Sequence, residues 1–271
     1  MNKYIAAFLA LAIAVCLFGC DRADQPPHDT KATTEEGELF TAATEVSDTV
    51  ATESTEIPAT MELKKLGKLQ YYLYSPQNPT KDMPLIIYLH GGTNKKADVT
   101  ALLTTEGFPK WLNDGYYGDL RAYVAIPKLD SGYKGWVDIY EQIRNLVKDM
   151  NKNYHISMSM VALTGHSMGG TGAYQLQVKL PNTFACVAPM SGSIKNTEEN
   201  LAALSKTKIW AFVGTADTVV EPDASRVIIG ALQNKGANAR ITELDGATHF
   251  DVPALVYKNE DLIQWLVRCG K

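Results

Sequence analysis

TGHSMGG, residues 164–170, contains the pattern Gly-x-Ser-x-Gly between a short apolar run, Met160–Leu163, and a helical pattern over 168–180. The apolar run is typical of a strand buried on both faces. A sharp turn from strand to helix strains the backbone of the serine, and side chains two residues before or after it would collide, which explains the glycines. A chain of this length contains the pattern by chance roughly one time in ten. Its position between strand and helix is what indicates a nucleophile at Ser167.

On both sides of this turn, short apolar runs alternate with helical patterns. The predicted strands cover residues 69–74, 84–89, 122–126, 160–163, 184–188, 209–213 and 240–244, and the predicted helices cover 137–150, 168–180, 223–233 and 255–267. This alternation predicts an α/β fold with a mainly parallel central sheet and helices on both faces. Ligands of such sheets bind beyond the carboxyl ends of the strands, so the loops that follow strands are the informative ones.

Three of these loops together resemble the α/β-hydrolase family. They are GHSMG (165–169), FVGTADTVV (212–220) and ATHF (247–250). The resemblance covers about 70–267 and is to small secreted esterases and predicted peptidases of the feruloyl-esterase and carboxylesterase kind. In that family a nucleophile, an acid and a histidine follow one another in this order along the chain. The resemblance therefore implies an α/β-hydrolase fold with a catalytic triad.

The resemblance assigns a role to each member of the triad. Ser167 would attack an acyl carbonyl, and His249 would accept its proton and later donate it to the leaving group. Asp217 would hold the tautomer of His249 and stabilise the imidazolium. Asp223 and Asp245 are alternative partners for His249, although Asp245 precedes a glycine and is more typical of a turn.

HGGT, residues 90–93, follows the predicted strand 84–89 and resembles the oxyanion loop of the same family. Fixed N–H donors are needed where negative charge develops on the substrate oxygen. We expect the backbone N–H of Gly92, or else that of Thr93, to supply one donor and the N–H of Met168 the other. His90 is expected to order the loop by hydrogen bonding rather than to react.

The substrate pocket is less clearly marked in the sequence. Trp136 ends a loop that should lie at the same sheet edge, and it could bind a substrate group or cap the helix after it. His166 is expected to line the site rather than to react. The short segment after residue 192 indicates no large lid, and 94–113 is the remaining candidate for a small cover. An open site of this kind favours soluble or polymer-borne esters.

Residues 1–20 have the features of a secretory signal sequence. Lys3 precedes an uninterrupted apolar run, which is short for a membrane-spanning helix. The ending LFGC, residues 17–20, resembles the lipobox of bacterial lipoproteins, which implies cleavage before Cys20 and its lipidation. A plain signal peptide with an incidental cysteine is the alternative. The lipobox reading implies a protein that is anchored by lipid to the bacterial cell membrane, outside the cytoplasm.

Residues 21–60 contain ten acidic and two basic residues, with many threonines and alanines and few bulky apolar residues. Such a segment cannot bury enough apolar surface to offset the entropy of ordering it. We therefore expect a disordered acidic tether, which leaves 61–271 as the catalytic domain.

Composition excludes several other classes of protein. The formal net charge is −4, with 45% hydrophobic and 21% charged residues, and no basic block indicates a nucleic-acid partner. Histidines at metal-ligand spacing and nucleotide-binding loops are not found in the sequence, so we expect no metal and no cofactor. Cys186 and Cys269 could pair or remain separate thiols, and the sequence leaves the oligomeric state open.

Together these observations predict a serine hydrolase that cleaves carboxylic esters through an acyl-enzyme, held to a membrane through Cys20. A peptidase or amidase with the same triad is one alternative. A hydrolase-like fold retained as a non-catalytic surface binding module is another. The presence of all three catalytic residue types is evidence against the binding module, which has no need of them.

Overall fold

An eight-stranded sheet runs through the part of the chain that the computed structural model describes, residues 57–105 and 107–268. The strands are β1 (Thr60–Leu66), β2 (Leu69–Ser75), β3 (Leu85–Leu89), β4 (Tyr123–Pro127), β5 (Val161–His166), β6 (Cys186–Met190), β7 (Lys208–Gly214) and β8 (Ala239–Leu244). Their order across the sheet is β1-β2-β4-β3-β5-β6-β7-β8. Strand β2 is antiparallel to both of its neighbours, and every other pair is parallel. The carboxyl ends of β3 to β8 therefore point to one edge.

Helices cover both faces of this sheet. They are α1 (Leu102–Thr105), α2 (Gly107–Asn113), α3 (Tyr140–Tyr154), α4 (Met168–Lys179), α5 (Glu198–Leu204), α6 (Asp223–Asn234), α7 (Val252–Tyr257) and α8 (Glu260–Arg268). Ile87 of β3 packs in one apolar cluster with Ile143 of α3, whereas its neighbour Tyr88 packs in another with Leu262 of α8. Adjacent strand residues point to opposite faces, so each face has its own helical layer. The predicted α/β-hydrolase fold with a mainly parallel sheet is confirmed.

Strand β1 has no counterpart in the sequence-based prediction. Its sequence, TMELKKL, carries charged residues at three of its seven positions, and none of the seven residues is buried. It lies at the sheet edge and pairs with β2 from Thr60 opposite Ser75 to Leu66 opposite Leu69. Backbone hydrogen bonds and the tight hairpin stabilise this edge strand. Because it lacks the alternation of apolar and polar residues by which strands are predicted, the sequence did not indicate it.

The helix predicted over 255–267 is in fact two helices, α7 and α8, separated near Asn259. The Asn259 side chain accepts a hydrogen bond from the backbone N–H of Asp261 at 2.8 Å. The Asn259 side chain therefore serves as the acceptor for an N–H in the first turn of α8, as an N-cap residue does. A new helix begins there, and the preceding helix ends before it. Apolar periodicity continues through the break, which explains why the sequence indicated one helix.

The predictions for the N-terminal region concern residues that the structure does not describe. The signal peptide over 1–20, Cys20, and residues 21–56 of the predicted tether lie outside the described residues. Within the described residues, none of the helices combines the length and the apolarity needed to span a membrane.

Cys186 lies fully buried in β6 and is disulfide-bonded. The other three cysteines of the chain, at positions 16, 20 and 269, lie outside the described residues. The sequence left open whether Cys186 is paired, and the structure assigns it to a disulfide.

Two mid-helix glycines offer a test of the packing. A Cβ atom at Gly230 in α6 would meet nothing within 4 Å, whereas one at Gly172 in α4 would lie 2.6 Å from the Trp136 Cβ. Gly230→Ala should raise the free energy of unfolding by up to about 1 kcal/mol through helix propensity. Gly172→Ala should lower it by about 1–3 kcal/mol through overpacking. Urea denaturation of the two variants measures both changes, and equal shifts of the same sign would contradict the packing between α4 and Trp136.

Candidate active site

Ser167 occupies a strained turn between β5 and α4. Its backbone has φ 59° and ψ −119°, a conformation that non-glycine residues rarely adopt. The Ser167 N–H donates to the carbonyl oxygen of Met190 in the neighbouring strand β6 at 2.9 Å. The turn therefore places the Ser167 side chain beyond the carboxyl edge of the sheet, at the N-terminus of α4.

Three glycines around Ser167 are in contact with neighbouring backbone. A Cβ atom at Gly165 would lie 2.5 Å from the Leu89 carbonyl oxygen, and one at Gly169 would lie 2.0 Å from the same oxygen. A Cβ at Gly170 would lie 2.3 Å from the Met190 carbonyl oxygen. Backbone cannot give way as a flexible side chain can, so these positions accept only glycine while α4 remains so close to β3 and β6.

Asp217 and His249 form a buried pair in the loops after β7 and β8. Asp217 Oδ2 lies 2.8 Å from His249 Nδ1, and Asp217 Oδ1 accepts hydrogen bonds from the N–H groups of Val219 and Val220, each at 2.9 Å. Burial alone would raise the pKa of Asp217. The amide donors and His249 outweigh it and hold that pKa below its ordinary value. An ionised Asp217 favours the His249 tautomer with its proton on Nδ1 and leaves Nε2 available as a base.

Among the hydrogen bonds and ion pairs of the described residues, none joins Asp223 or Asp245 to His249. Asp223 forms an ion pair with Arg226 at 2.8 Å on the first turn of α6. Asp245 accepts a hydrogen bond from the Thr215 hydroxyl at 3.4 Å. Of the three acidic residues considered from the sequence, Asp217 is the one that the structure pairs with His249.

Ser167 and His249 line the same cavity, which has a volume of about 480 Å³. This is within the usual size range of a small-molecule site. Among the hydrogen bonds of the described residues, none joins the Ser167 hydroxyl to His249. Such contacts are often long in a free enzyme and shorten when substrate binds.

His166 connects the nucleophile turn to the loop that carries His249. Its Nε2 lies 2.9 Å from the His249 carbonyl oxygen, and the centroids of the two rings are 4.5 Å apart. Burial, with a smaller contribution from His249, lowers the pKa of His166 to about 4. His166 is therefore neutral near pH 7 and donates its Nε2 proton to that carbonyl. It lines the cavity, as expected from the sequence.

His90 holds the predicted oxyanion loop in place. Its Nδ1 donates to the Gly91 carbonyl oxygen at 2.7 Å, and its Nε2 accepts from the Leu129 N–H at 3.0 Å. Burial lowers the pKa of His90 to about 4, so the ring is neutral and both bonds fit a single tautomer. The ordering role expected for His90 is confirmed.

His90 thus joins the loop after β3 to the loop after β4, and a buried lysine adds a second connection between these two loops. Lys128, 7% exposed, donates from Nζ to the carbonyl oxygens of Lys95 at 2.9 Å and Leu129 at 3.1 Å. Burial lowers its pKa from the ordinary lysine value. The burial of Lys128 was not predicted from the sequence, because a lysine that follows an apolar strand is usually exposed.

The two expected oxyanion donors lie at the starts of helical segments. Gly92 begins the 3₁₀ turn Gly92–Lys95, and both Gly92 and Thr93 of this turn line the cavity. Met168 begins α4 directly after Ser167. The first N–H groups of a helix have no acceptor within it and are available to a ligand. The arrangement can therefore offer two fixed donors, one from the loop after β3 and one from the start of α4.

Of the two roles considered for Trp136, substrate contact and a cap on the following helix, the structure contradicts the first. Its side chain is fully buried, and its indole N–H donates to the His90 carbonyl oxygen at 3.1 Å. It packs against Gly172 and begins the 3₁₀ turn Trp136–Ile139 that leads into α3. The second reading of this residue, a structural role at the start of the helix, matches its position.

The walls of the cavity differ in polarity. The lining residues from the segment that follows β3 are small or polar apart from a tryptophan: Gly91, Gly92, Thr93, Asn94, Thr105, Gly107 and Trp111. The lining side chains from the segments that follow β7 and β8, beyond His249, form an apolar wall, which consists of Val219, Phe250, Pro253 and Ala254. The segment 94–113, expected as a loop and a possible cover, contains α1 and α2 and supplies part of the first wall. The apolar wall was missed, although an apolar residue directly after the histidine was a signal for it.

No group of three histidine, cysteine, aspartate or glutamate side chains in the described part of the chain is arranged to hold a metal ion.

Comparison with known proteins assigns the chain to a class and then to a family. Its fold is that of an α/β hydrolase. Residues 69–253, well over half of the chain, match the dienelactone hydrolase family, and the chain belongs to that family.

Several of the proteins that match this chain are esterases. The bifunctional acetylxylan esterase/xylanase XynS20E of Neocallimastix patriciarum is 29% identical over 132 residues, which are 45% of this chain and 17% of that protein. The crystal structure of a thermostable esterase matches with a TM-score of 0.66 at 22% identity and covers 77% of this chain and 62% of that one. A mutant feruloyl esterase module from Clostridium thermocellum, complexed with sinapinate, matches with a TM-score of 0.59 at 15% identity over 78% and 86% of the two chains. At these identities the two structures show a shared fold.

The two buried histidines predict a loss of stability in mild acid. The folded pKa of His90 and of His166 is about 4, below the ordinary value of 6.5. The unfolded chain therefore binds more protons between these values, and stability falls as the pH drops from about 6.5 to 4, by about 3 kcal/mol for each histidine. Urea denaturation at several pH values in this range measures the slope.

A variant and its control distinguish the contribution of these two histidines to the pH dependence of stability from that of all other titrating groups. His166→Gln should reduce the pH slope, because it removes one of the two groups. Ile143→Val, a buried substitution that removes no titrating group, should lower stability by about 1 kcal/mol and keep the original slope. A urea midpoint that does not change between pH 6.5 and 4.5 in the unsubstituted protein would contradict the prediction.

Proposed function

We propose that this protein is a serine esterase that hydrolyses carboxylic esters through an acyl-enzyme. The observation that carries the proposal is the buried 2.8 Å contact between Asp217 Oδ2 and His249 Nδ1, in a cavity that Ser167 also lines. A carboxylate-oriented imidazole near a serine on a strained turn has the components of nucleophilic acyl transfer. Membership of the dienelactone hydrolase family and esterase relatives support the same reaction class.

In the first half of the reaction, Ser167 Oγ bonds to the carbonyl carbon of the ester and its proton passes to His249 Nε2. The carbonyl oxygen becomes an oxyanion, which the N–H groups of Gly92 and Met168 stabilise. The bond from carbon to the alcohol oxygen then breaks, and His249 donates its proton to that oxygen. The alcohol leaves, and the acyl group remains on Ser167.

In the second half, a water molecule attacks the acyl carbon while His249 accepts one of its protons. A second oxyanion forms in the same place and collapses. The bond to Ser167 Oγ breaks, His249 returns the proton to that oxygen, and the carboxylic acid leaves. Asp217 stabilises the imidazolium in both halves and keeps its own charge.

Activity-based labelling and a substrate panel test this function. The unsubstituted protein should be labelled by a fluorophosphonate probe, and Ser167→Ala should lose labelling and roughly 10⁶-fold in turnover while it remains folded. Ser159→Ala, a change at an exposed serine, is the matched control and should keep both. Circular dichroism checks the fold of each variant.

Acyl esters and peptides offered side by side distinguish the reaction types. Turnover of the esters supports the proposal. Turnover of peptides alone would assign the protein as a peptidase or amidase. A folded, unsubstituted protein that the probe does not label would point to a binding module.

We also propose that the protein works outside the cytoplasm, anchored to the bacterial cell membrane by lipid on Cys20. The charged start, the apolar run and the ending LFGC at 17–20 support this proposal. A multiply acylated cysteine anchors stably, whereas a single acyl chain binds reversibly.

Fractionation of cells tests the anchor. Cys20→Ala should move the full-length protein out of the membrane fraction and prevent incorporation of labelled palmitate. Cys16→Ala, a change within the apolar run, is the control and should leave both unchanged. Equal membrane recovery and labelling of the Cys20→Ala protein would overturn the proposal.

A further inference from the structure

Two large apolar side chains remain exposed at the cavity. Phe250 is 76% exposed and Val219 is 60% exposed, the two highest values for large apolar residues within 57–105 and 107–268. Both belong to the apolar wall and line the cavity with Ser167. Apolar surface in contact with water is unfavourable, and a concentration of it beside a reactive group marks a place where a ligand buries it.

The position of Phe250 relates this surface to His249. The ring of Phe250 meets the imidazole of His249 edge to face, with centroids 5.3 Å apart and an interplanar angle of 89°. Val219 lies in the loop that holds Asp217, since its own N–H donates to that carboxylate. Val219 and Phe250 therefore belong to the two loops that carry the acid and the base, and the other two members of the apolar wall, Pro253 and Ala254, lie in α7.

The chemistry of the ester places one part of the substrate on this side. His249 gives its proton to the alcohol oxygen as the tetrahedral intermediate breaks down, so the alcohol portion must lie next to the imidazole. The oxyanion lies instead beside the N–H groups of Gly92 and Met168. In the strand order, β3, which precedes the loop with Gly92, is on one side of β5. Strands β7 and β8, which precede the loops with Val219 and Phe250, are on the other side.

We propose that the apolar wall is the binding site for the alcohol portion of the ester, and that Phe250 and Val219 select alcohols with an aromatic or alkyl surface. This inference rests on the proposed esterase function. It specifies which half of the substrate the protein recognises and which residues recognise it. Contact with such an alcohol removes from water the apolar area that Phe250 and Val219 now expose.

Two ester series test the assignment. The first keeps the acetyl group and compares benzyl acetate with methyl acetate. The second keeps methanol and compares methyl phenylacetate with methyl acetate. Each result is the ratio of kcat/KM values within a series, so changes in overall activity cancel.

The expected effect is confined to the alcohol series. Phe250→Ala should lower the ratio of benzyl to methyl acetate by about tenfold to a hundredfold. Val219→Ser should lower the same ratio by a smaller factor. Phe250→Leu, which keeps apolar surface, should restore part of it. The ratio in the acyl series should stay within about twofold of the unsubstituted protein in all three variants.

An exposed valine outside the cavity provides the control. Val227 in α6 is 53% exposed and does not line the cavity, so Val227→Ala should leave both ratios unchanged. Because Phe250 and Val219 are exposed, their variants should fold, and the urea midpoint with fluorophosphonate labelling of Ser167 verifies this for each.

The outcomes separate this inference from the function on which it rests. A Phe250→Ala protein in which only the acyl ratio falls would place the acyl group on the apolar wall and overturn the inference. Unchanged ratios in both series would overturn it as well. In either case ester turnover by the unsubstituted protein leaves the esterase function standing, whereas no turnover of any ester would overturn both.

Discussion

The close approach of α4 to the ends of β3 and β6 is the constraint on which the site depends. The carbonyl oxygen of Leu89 lies where a side chain at Gly165 or Gly169 would be, and that of Met190 lies where one at Gly170 would be. This contact fixes the start of α4 directly beneath Ser167, whose positive φ follows from the sharp reversal. The strained serine is held by the close-packed backbone of β3 and β6, so its orientation does not depend on flexible side chains.

Buried polar groups then hold the surrounding loops at fixed positions relative to that turn. His90 and Lys128 bind the loop after β3 to the loop after β4, and His166 binds the turn itself to the loop of His249. Each of these groups satisfies backbone donors or acceptors that would otherwise be buried without a partner. Desolvation keeps both histidines neutral near pH 7, and neutral rings can each accept or donate as their neighbours require.

Local signals in the sequence indicated most of the alternation of strands and helices and the candidates Ser167, Asp217 and His249, because each of these depends on a short-range pattern. Strand β1, the break near Asn259 and the apolar wall carried no such signal strong enough to be predicted. Glycine spacing around Ser167, an acid after one strand and a histidine after another are all local features. Trp136 was assigned ambiguously because an aromatic side chain in a loop has the same local pattern whether it faces a ligand or the core. Its burial under α4 and its bond to His90 are long-range contacts that no short pattern contains.

The amino-acid sequence by itself determined the α/β class, the strained turn at Ser167 and the order of the residues around it, since periodicity and glycine placement fix local backbone geometry. Only the tertiary structure decided that Asp217, and neither Asp223 nor Asp245, pairs with His249, and that apolar side chains after β7 and β8 line the same cavity as polar residues after β3. These features depend on which loops the sheet order brings together. That order is set by the packing of whole strands and helices, which is a property of the folded chain and not of any one segment.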